Sequence, residues 1–161
     1  MRGGLMFTKV ALTIVVILVL AGLGCRSPAS SIVFTSDRDG NLEIYSVNSN
    51  GEKLTNLTNT QTNEFAPVLS PNHRLISFLS GVQGNTSVEV MRIDGTERIP
   101  LTEGGSEHSS QQWSPSNDRI AYVKKDGSDS YIYMTSVGET KTALLTSIEG
   151  HQVGDWSGDG N

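Results

Sequence analysis

Ile32-Val33-Phe34, Ile76-Ser77-Phe78 and Ile120-Ala121-Tyr122 are one tripeptide pattern met three times, each 44 residues after the last. Leu57-Thr58, Leu101-Thr102 and Leu145-Thr146 recur at the same interval, and Gly51 matches Gly95. Leu69-Ser70-Pro71 matches Trp113-Ser114-Pro115, and Trp156-Ser157-Gly158 stands one residue short of the next register. A fixed period of this size means that one supersecondary unit is stacked, because a single unit cannot bury its own apolar face.

Within a unit the pattern is that of strands and turns. Ile32 to Ser36 alternates apolar and polar residues with a β-branched and aromatic bias, which predicts a strand. Asp37-Arg38-Asp39-Gly40-Asn41 is dense in turn formers, and Leu42 to Val47 reads as the returning strand of a hairpin. A turn at Asn48-Ser49-Asn50-Gly51 leads to a third strand over Lys53 to Leu57, and a fourth runs from Phe65 to Leu69. The second unit predicts strands over 75–79, 88–92, 97–101 and 111–113, and the third over 119–123, 131–134, 141–145 and 152–156. Four short strands per 44 residues describe a propeller blade, so the expected fold is all-β, with blades at about 32–75, 76–119 and 120–161. Leu69, Trp113 and Trp156 are expected to fill the space between adjacent blades.

Ser36-Asp37-Arg38-Asp39-Gly40-Asn41-Leu42-Glu43-Ile44-Tyr45, followed by Leu57-Thr58, a Trp-Ser-Pro turn and Ile-Ala-Tyr, resembles the WD40-like repeat of the TolB-type β-propellers. The resemblance covers residues 31–161. Leu69 stands where the family has Trp, Gly158 replaces the turn proline, and Asn72-His73 and Ser116-Asn117 replace Asp-Gly. Membership implies a binding scaffold of the cell envelope with a role beside the Tol–Pal system. TolB itself carries an α/β domain before its propeller, whereas here six residues, Arg26 to Ser31, separate Cys25 from the first strand. A TolB-like repeat protein is therefore expected rather than TolB itself.

Three units fall short of the four to eight blades with which propellers close. An open array exposes sheet edges, a hazard for aggregation. The expectation is that these residues form part of a six- to eight-bladed ring, as the N-terminal piece of a longer protein or of a truncated reading frame. A complete chain of this length would have to self-associate.

Before the repeats, Arg2 and Lys9 precede Val10 to Leu20, an apolar run of about 11 residues followed by Ala21, Gly22 and Gly24. A basic n-region, a short apolar core and a small-residue exit predict an export signal over residues 1–25, which forms a helix, with 26–31 as a tether. The run is shorter than the roughly 20 residues a spanning helix needs. Gly24-Cys25 resembles the lipobox of bacterial lipoproteins, although Gly22 occupies the place favoured for Leu. Lipidation of Cys25, an uncleaved signal anchor and ordinary cleaved export all remain open. Cys25 is the single cysteine, so a monomer has no internal disulfide.

The formal net charge is −5, and no basic stripe is present, which argues against a nucleic-acid partner. Of the histidines, His108 and His151 hold near-equivalent repeat positions, where a metal site is conceivable, and His73 falls in a turn. Asp37-x-Asp39-Gly40-Asn41 has the alternate carboxylates of a calcium loop but Asn48 at the twelfth position, so the tight-turn reading prevails. Asp155-Trp156-Ser157-Gly158 misses the Gly-x-Ser-x-Gly elbow at its first glycine. No cofactor motif occurs.

The sequence thus points to an exported, non-catalytic scaffold for a protein or glycan partner, held at the membrane by a lipid or signal anchor. Two alternatives come from another class. One is the propeller of an exported prolyl-oligopeptidase-type serine peptidase; the other is a propeller lyase or glycan hydrolase.

Overall fold

The computed structural model describes residues 31–138, 142–149 and 152–158. Cys25 and the segment expected to form the signal or anchor helix lie outside them, as does His151. Eleven strands are present: β1 (Ser31–Ser36), β2 (Glu43–Asn48), β3 (Thr55–Asn56), β4 (Glu64–Leu69), β5 (Leu75–Val82), β6 (Asn85–Arg92), β7 (Ile99–Pro100), β8 (His108–Trp113), β9 (Arg119–Asp126), β10 (Asp129–Ser136) and β11 (Thr142–Glu149). They form three antiparallel sheets in the orders β1-β2-β3, β4-β5-β6-β7 and β8-β9-β10-β11, hereafter blades 1, 2 and 3. No helix occurs among the described residues, and none there is long and apolar enough to cross a membrane.

The sheets divide the repeat elsewhere than the sequence motif suggests. The fourth strand of the first two sequence units pairs with the next unit rather than closing its own: Leu69 faces Ile76, and Trp113 faces Ile120. Blade 2 therefore spans 64–100 and blade 3 spans 108–149, and β4 and β8 are their first strands. Blade 1 has three strands rather than the expected four among the described residues. The reason for the offset is hydrogen bonding. The Ser-Pro turns are hairpin turns, in which Ser70 and Ser114 each close back onto the strand that follows through Leu75 and Arg119 carbonyls.

The expected strand at 152–156 is not a strand. In the complete blades this position pairs with the strand after its turn, and for 152–156 that partner is not among the described residues. Conversely, β5 and β6 continue to Val82 and back from Asn85, beyond the expected ends. Glycine at 81 permits this, because its φ is +131° and a Cβ there would stand 2.2 Å from the Asn85 carbonyl oxygen.

The core lies between blades. Ile44 of blade 1 is buried with Ile76, Phe78 and Met91 of blade 2, flanked by Val33, Leu57 and Leu69. On the other face of blade 2, Leu79, Val88, Val90 and Leu101 pack with Trp113, Ile120 and Tyr122 of blade 3. Period-2 alternation thus serves both faces of blade 2, one to each neighbour. The first strands of blades 2 and 3 carry the same irregularity. Ala66 and Ser110, one repeat apart, both sit at φ +53° where the pairing register shifts, a bulge of the kind that re-aims a strand.

Candidate functional site

The repeat places one strand pairing at all three blades and a second at blades 2 and 3. Phe34 faces Tyr45, Phe78 faces Glu89, and Tyr122 faces Tyr133. Glu64 faces Ser80, and His108 faces Lys124. The chemistry at these equivalent positions differs from blade to blade, and that difference makes the site.

Between blades 1 and 2 the space is filled by a charged network. The Arg98 guanidinium lies 5.2 Å from the Phe78 ring centroid. Its Nε donates to Glu89 Oε2 at 2.5 Å, and its Nη2 to Glu64 Oε1 and to Ser80 Oγ, both at 3.1 Å. Glu64 is fully buried, and Thr60 Oγ1 lies 2.9 Å from each of its carboxylate oxygens. Burial pushes the Glu64 carboxyl above its ordinary range, against the pull of the Thr60 hydroxyl and Arg98. The Thr60 amide and the Thr58 hydroxyl donate to Glu43 of blade 1, so Thr60 links the Glu43 and Glu64 carboxylates through its amide and its hydroxyl.

Between blades 2 and 3 the equivalent space is open. Tyr122 and Tyr133 stack with centroids 6.0 Å apart and an interplanar angle of 17°. The His108 ring tilts onto Tyr122 at 5.4 Å, and Lys124 Nζ lies 5.6 Å from the Tyr133 centroid. These four side chains, with the 100–104 segment that leaves β7, enclose a cavity of about 510 Å³. His108 also borders a second, more apolar cavity of about 350 Å³ on the side of Leu42, Phe65 and Leu79.

His108 is held rigidly. Its amide donates to Thr86 Oγ1 at 2.6 Å, that hydroxyl donates to the His108 carbonyl at 3.2 Å, and Nδ1 lies 2.6 Å from the Thr86 carbonyl oxygen. A carbonyl only accepts, so Nδ1 carries a proton and Nε2 of the neutral ring is an acceptor. Burial lowers the His108 pKa, the Thr86 carbonyl opposes that shift, and the Lys124 ammonium adds to it.

Outside blade 3 the aromatic pair recurs as Phe34 and Tyr45, stacked at 5.9 Å, but Arg38 covers both rings at 5.6 and 4.6 Å. Burial, and then the hydrogen bond to Asp39, push the Tyr45 phenol up to about 12.

The residues singled out by sequence fall as follows. Asp37 accepts the Gly40 amide through its carbonyl at 3.0 Å, and Asp39 binds the Tyr45 hydroxyl, so the Asp37–Asn41 stretch is a turn braced on blade 1. His73 is exposed in a turn with φ +56°. Of the histidines among the described residues, His108 is the one brought into the site. Among the described residues no group of three His, Cys, Asp or Glu side chains is placed to hold a metal. Trp113 lies between blades 2 and 3, its indole nitrogen donating to the Val68 carbonyl at 3.0 Å, and Trp156 makes the equivalent bond to the Gln112 carbonyl of blade 3 at 3.2 Å. Sequence reading missed Tyr122, Tyr133 and Lys124 as a set, and the Arg98 network. Comparing repeat positions column by column carries the signal, for Glu64, Ser80, Phe78 and Glu89 become His108, Lys124, Tyr122 and Tyr133.

The geometry defines an arc of β-propeller blades with one polar, aromatic-lined pocket between two of them. The chain belongs to the TolB beta propeller domain family (PD40), which it matches over residues 25–161. It is 29% identical over 121 residues to a Protein TolB homolog from Chlorobium luteolum, an alignment covering 75% of this chain and 27% of that protein. The chain thus spans about a quarter of that relative's length. The structure of putative TolB from Agrobacterium tumefaciens superposes with a TM-score of 0.68 at 24% identity, covering 81% of this chain and 52% of that one. TolB from Acinetobacter baumannii superposes at 0.67 with 13% identity, covering 81% and 34%. These structural likenesses establish the fold.

Proposed function

We propose that the chain is an exported, envelope-associated TolB-like propeller that works as a non-catalytic scaffold, binding a protein or glycan partner and tethered at its N-terminus through Cys25. The observation that carries the binding role is the pocket between blades 2 and 3. It presents ring faces, an ammonium and hydrogen-bonding groups on side chains fixed by strand pairing and by the His108–Thr86 bonds. That is the composition of a recognition site, concave and aromatic with a few placed polar groups. Export and tethering rest on the basic, apolar and small-residue succession ending in Gly24-Cys25.

Expression of the full chain in a bacterial host with labelled palmitate tests the tether. Label on the wild type and none on Cys25→Ser, with release of the variant from membranes, supports lipidation. Membrane retention of unlabelled Cys25→Ser points to a signal anchor instead, and cytoplasmic wild-type protein overturns the envelope reading. A photo-crosslinking residue at Glu103, on the exposed rim of the pocket, then tests the scaffold role. A discrete adduct with an envelope component is expected, and a chain that crosslinks to nothing there contradicts it.

A further inference from the structure

The pocket between blades 2 and 3 has a chemistry specific enough to name its ligand class. We infer that it binds a saccharide ring bearing a carboxylate, a uronate, with the carboxylate on Lys124 and the sugar ring against the Tyr122–Tyr133 stack. This deepens the binding role proposed above and rests on it.

Three observations converge. The first is that the same space one blade earlier is closed by a side chain. Arg98 bridges Glu64 and Glu89 there and lies over Phe78. With Tyr122 for Phe78 and Tyr133 for Glu89, a cavity of about 510 Å³ is left with ring surfaces in its wall. Small-molecule sites range from roughly 300 to 1,000 Å³, so the space suits one or two sugar rings.

The second is the charge. Lys124 is half-buried, and its contact is with the Tyr133 ring; among the described residues no carboxylate forms an ion pair with it. An ammonium in a cavity wall with no carboxylate paired to it attracts an anion, because charges beside a protein wall are screened less than in bulk water.

The third is the balance of donors and acceptors. Thr102 Oγ1 accepts the Val88 amide at 2.8 Å, which leaves its own proton to donate. His108 Nε2 is an acceptor because Nδ1 is committed to the Thr86 carbonyl. Glu103 adds a carboxylate at the rim. Sugar hydroxyls satisfy donors and acceptors alike. A phosphate offers mostly acceptor oxygens, which would meet the lone pair of His108 Nε2, whereas a uronate brings hydroxyl donors beside its carboxylate. The protein's net charge of −5 disfavours a polyanion further.

Titration of the full chain, purified in mild detergent, with D-glucuronate, D-glucose and N-acetylglycine tests the assignment by calorimetry or by perturbation of NMR signals. Saturable binding of glucuronate is expected, with glucose about tenfold weaker and N-acetylglycine weaker still, since a charge-assisted hydrogen bond and ring contact each contribute. Lys124→Gln should weaken glucuronate by about tenfold and leave glucose unchanged, so the retained glucose signal also shows that the pocket is still folded. Tyr133→Leu should weaken both sugars, and Lys125→Gln, whose ammonium lies 3.8 Å from Glu107 outside this pocket, should change neither. Absence of saturable glucuronate binding overturns the inference, as does N-acetylglycine binding equally well or Lys124→Gln binding glucuronate like the wild type. The titration reads what the pocket accepts and fractionation reads where the chain resides, so the two readings fail separately.

Discussion

Trp113 donates its indole N–H to the carbonyl of Val68, 3.0 Å away on the first strand of the preceding blade. Trp156 repeats the bond to Gln112 at 3.2 Å, with the Arg119 guanidinium 5.4 Å from its ring. Gln111, buried beside Trp113, donates in the same direction to the Ala66 carbonyl. β4 and β8 belong to different sheets and share no ladder, so the Trp113 and Gln111 bonds join these two first strands through side chains at and just after the Ala66 bulge.

Replacing Trp113 separates the bond from the packing. Trp113→Phe keeps most of the ring in the core shared with Val88, Val90 and Ile120 but removes the indole donor, leaving the Val68 carbonyl only the Ser77 hydroxyl at 3.4 Å. A destabilisation of about 1–2 kcal/mol is expected in urea unfolding of the full chain. Trp113→Ala also opens a cavity and should cost about 3–5 kcal/mol. A Phe variant as stable as the wild type would show that the bond contributes only orientation.

Arg98 holds the blade 1–blade 2 boundary, and Arg98→Ala leaves Glu64 buried without its cation. A loss of about 3–5 kcal/mol near neutral pH is expected from breaking a buried pair on one side. The sign of its pH dependence follows from the direction of the Glu64 shift. Burial already raises that carboxyl above its unfolded value, and loss of Arg98 removes an opposing influence. A group with a raised folded pKa favours the folded state fully below its unfolded pKa, and this contribution is lost as pH rises through the folded value. The variant should therefore lie closest to wild type near pH 4 and fall further behind toward pH 7. A gap constant over that range would mean that Glu64 keeps its charge without Arg98.

His108 has the opposite sign. Its pKa is lowered by burial, so the unfolded chain takes up a proton that the folded one resists. The stabilisation is present above the unfolded value of about 6.5 and is lost as pH falls through it toward the folded value. Thermal melts of wild type should decline from pH 7.5 to pH 5.5, and His108→Gln should flatten part of that decline.

The strands of this fold were legible because period-2 alternation and Asp/Asn/Gly turns recur three times, so each unit corroborates the others. The phase of the blades was not. A strand and its Ser-Pro turn read the same whether the strand closes one blade or opens the next, and only the pairings of Leu69 with Ile76 and Trp113 with Ile120 decide between them. The missing strand at 152–156 has the same origin, since alternation records which residues face the core and not whether a partner edge is present. His108 was legible as a repeat-position histidine, but its neighbours were not. The sequence reads Tyr122 as the end of a strand motif and Tyr133 as a strand residue, and it leaves Lys124 just past the expected strand at 119–123; pairing register alone brings them together.

Gly51 and Gly95 allow the inter-blade contact to be measured against an internal control. Both follow the same turn, with the glycine amide donating at 2.9 Å to Asn48 and Arg92 carbonyls, and both have nearly the same φ, +82° and +84°. Alanine in that left-handed conformation costs about 1–2 kcal/mol wherever it occurs. At Gly51 a Cβ would meet nothing within 4 Å, whereas at Gly95 it would stand 2.8 Å from the Leu57 carbonyl oxygen of blade 1. Relief there requires the two blades to part, because the obstacle is backbone and not the end of a flexible side chain. Gly95→Ala should therefore destabilise the chain by about 1–3 kcal/mol more than Gly51→Ala. The excess should shrink when the same substitution is made in Leu57→Ala protein, where the blade 1 edge packs less tightly against Ile76 and Met91. Equal effects of the two glycine substitutions in urea unfolding would show that the blades separate at Gly95 without resistance, and that the boundary is held elsewhere, by Arg98 and its two carboxylates.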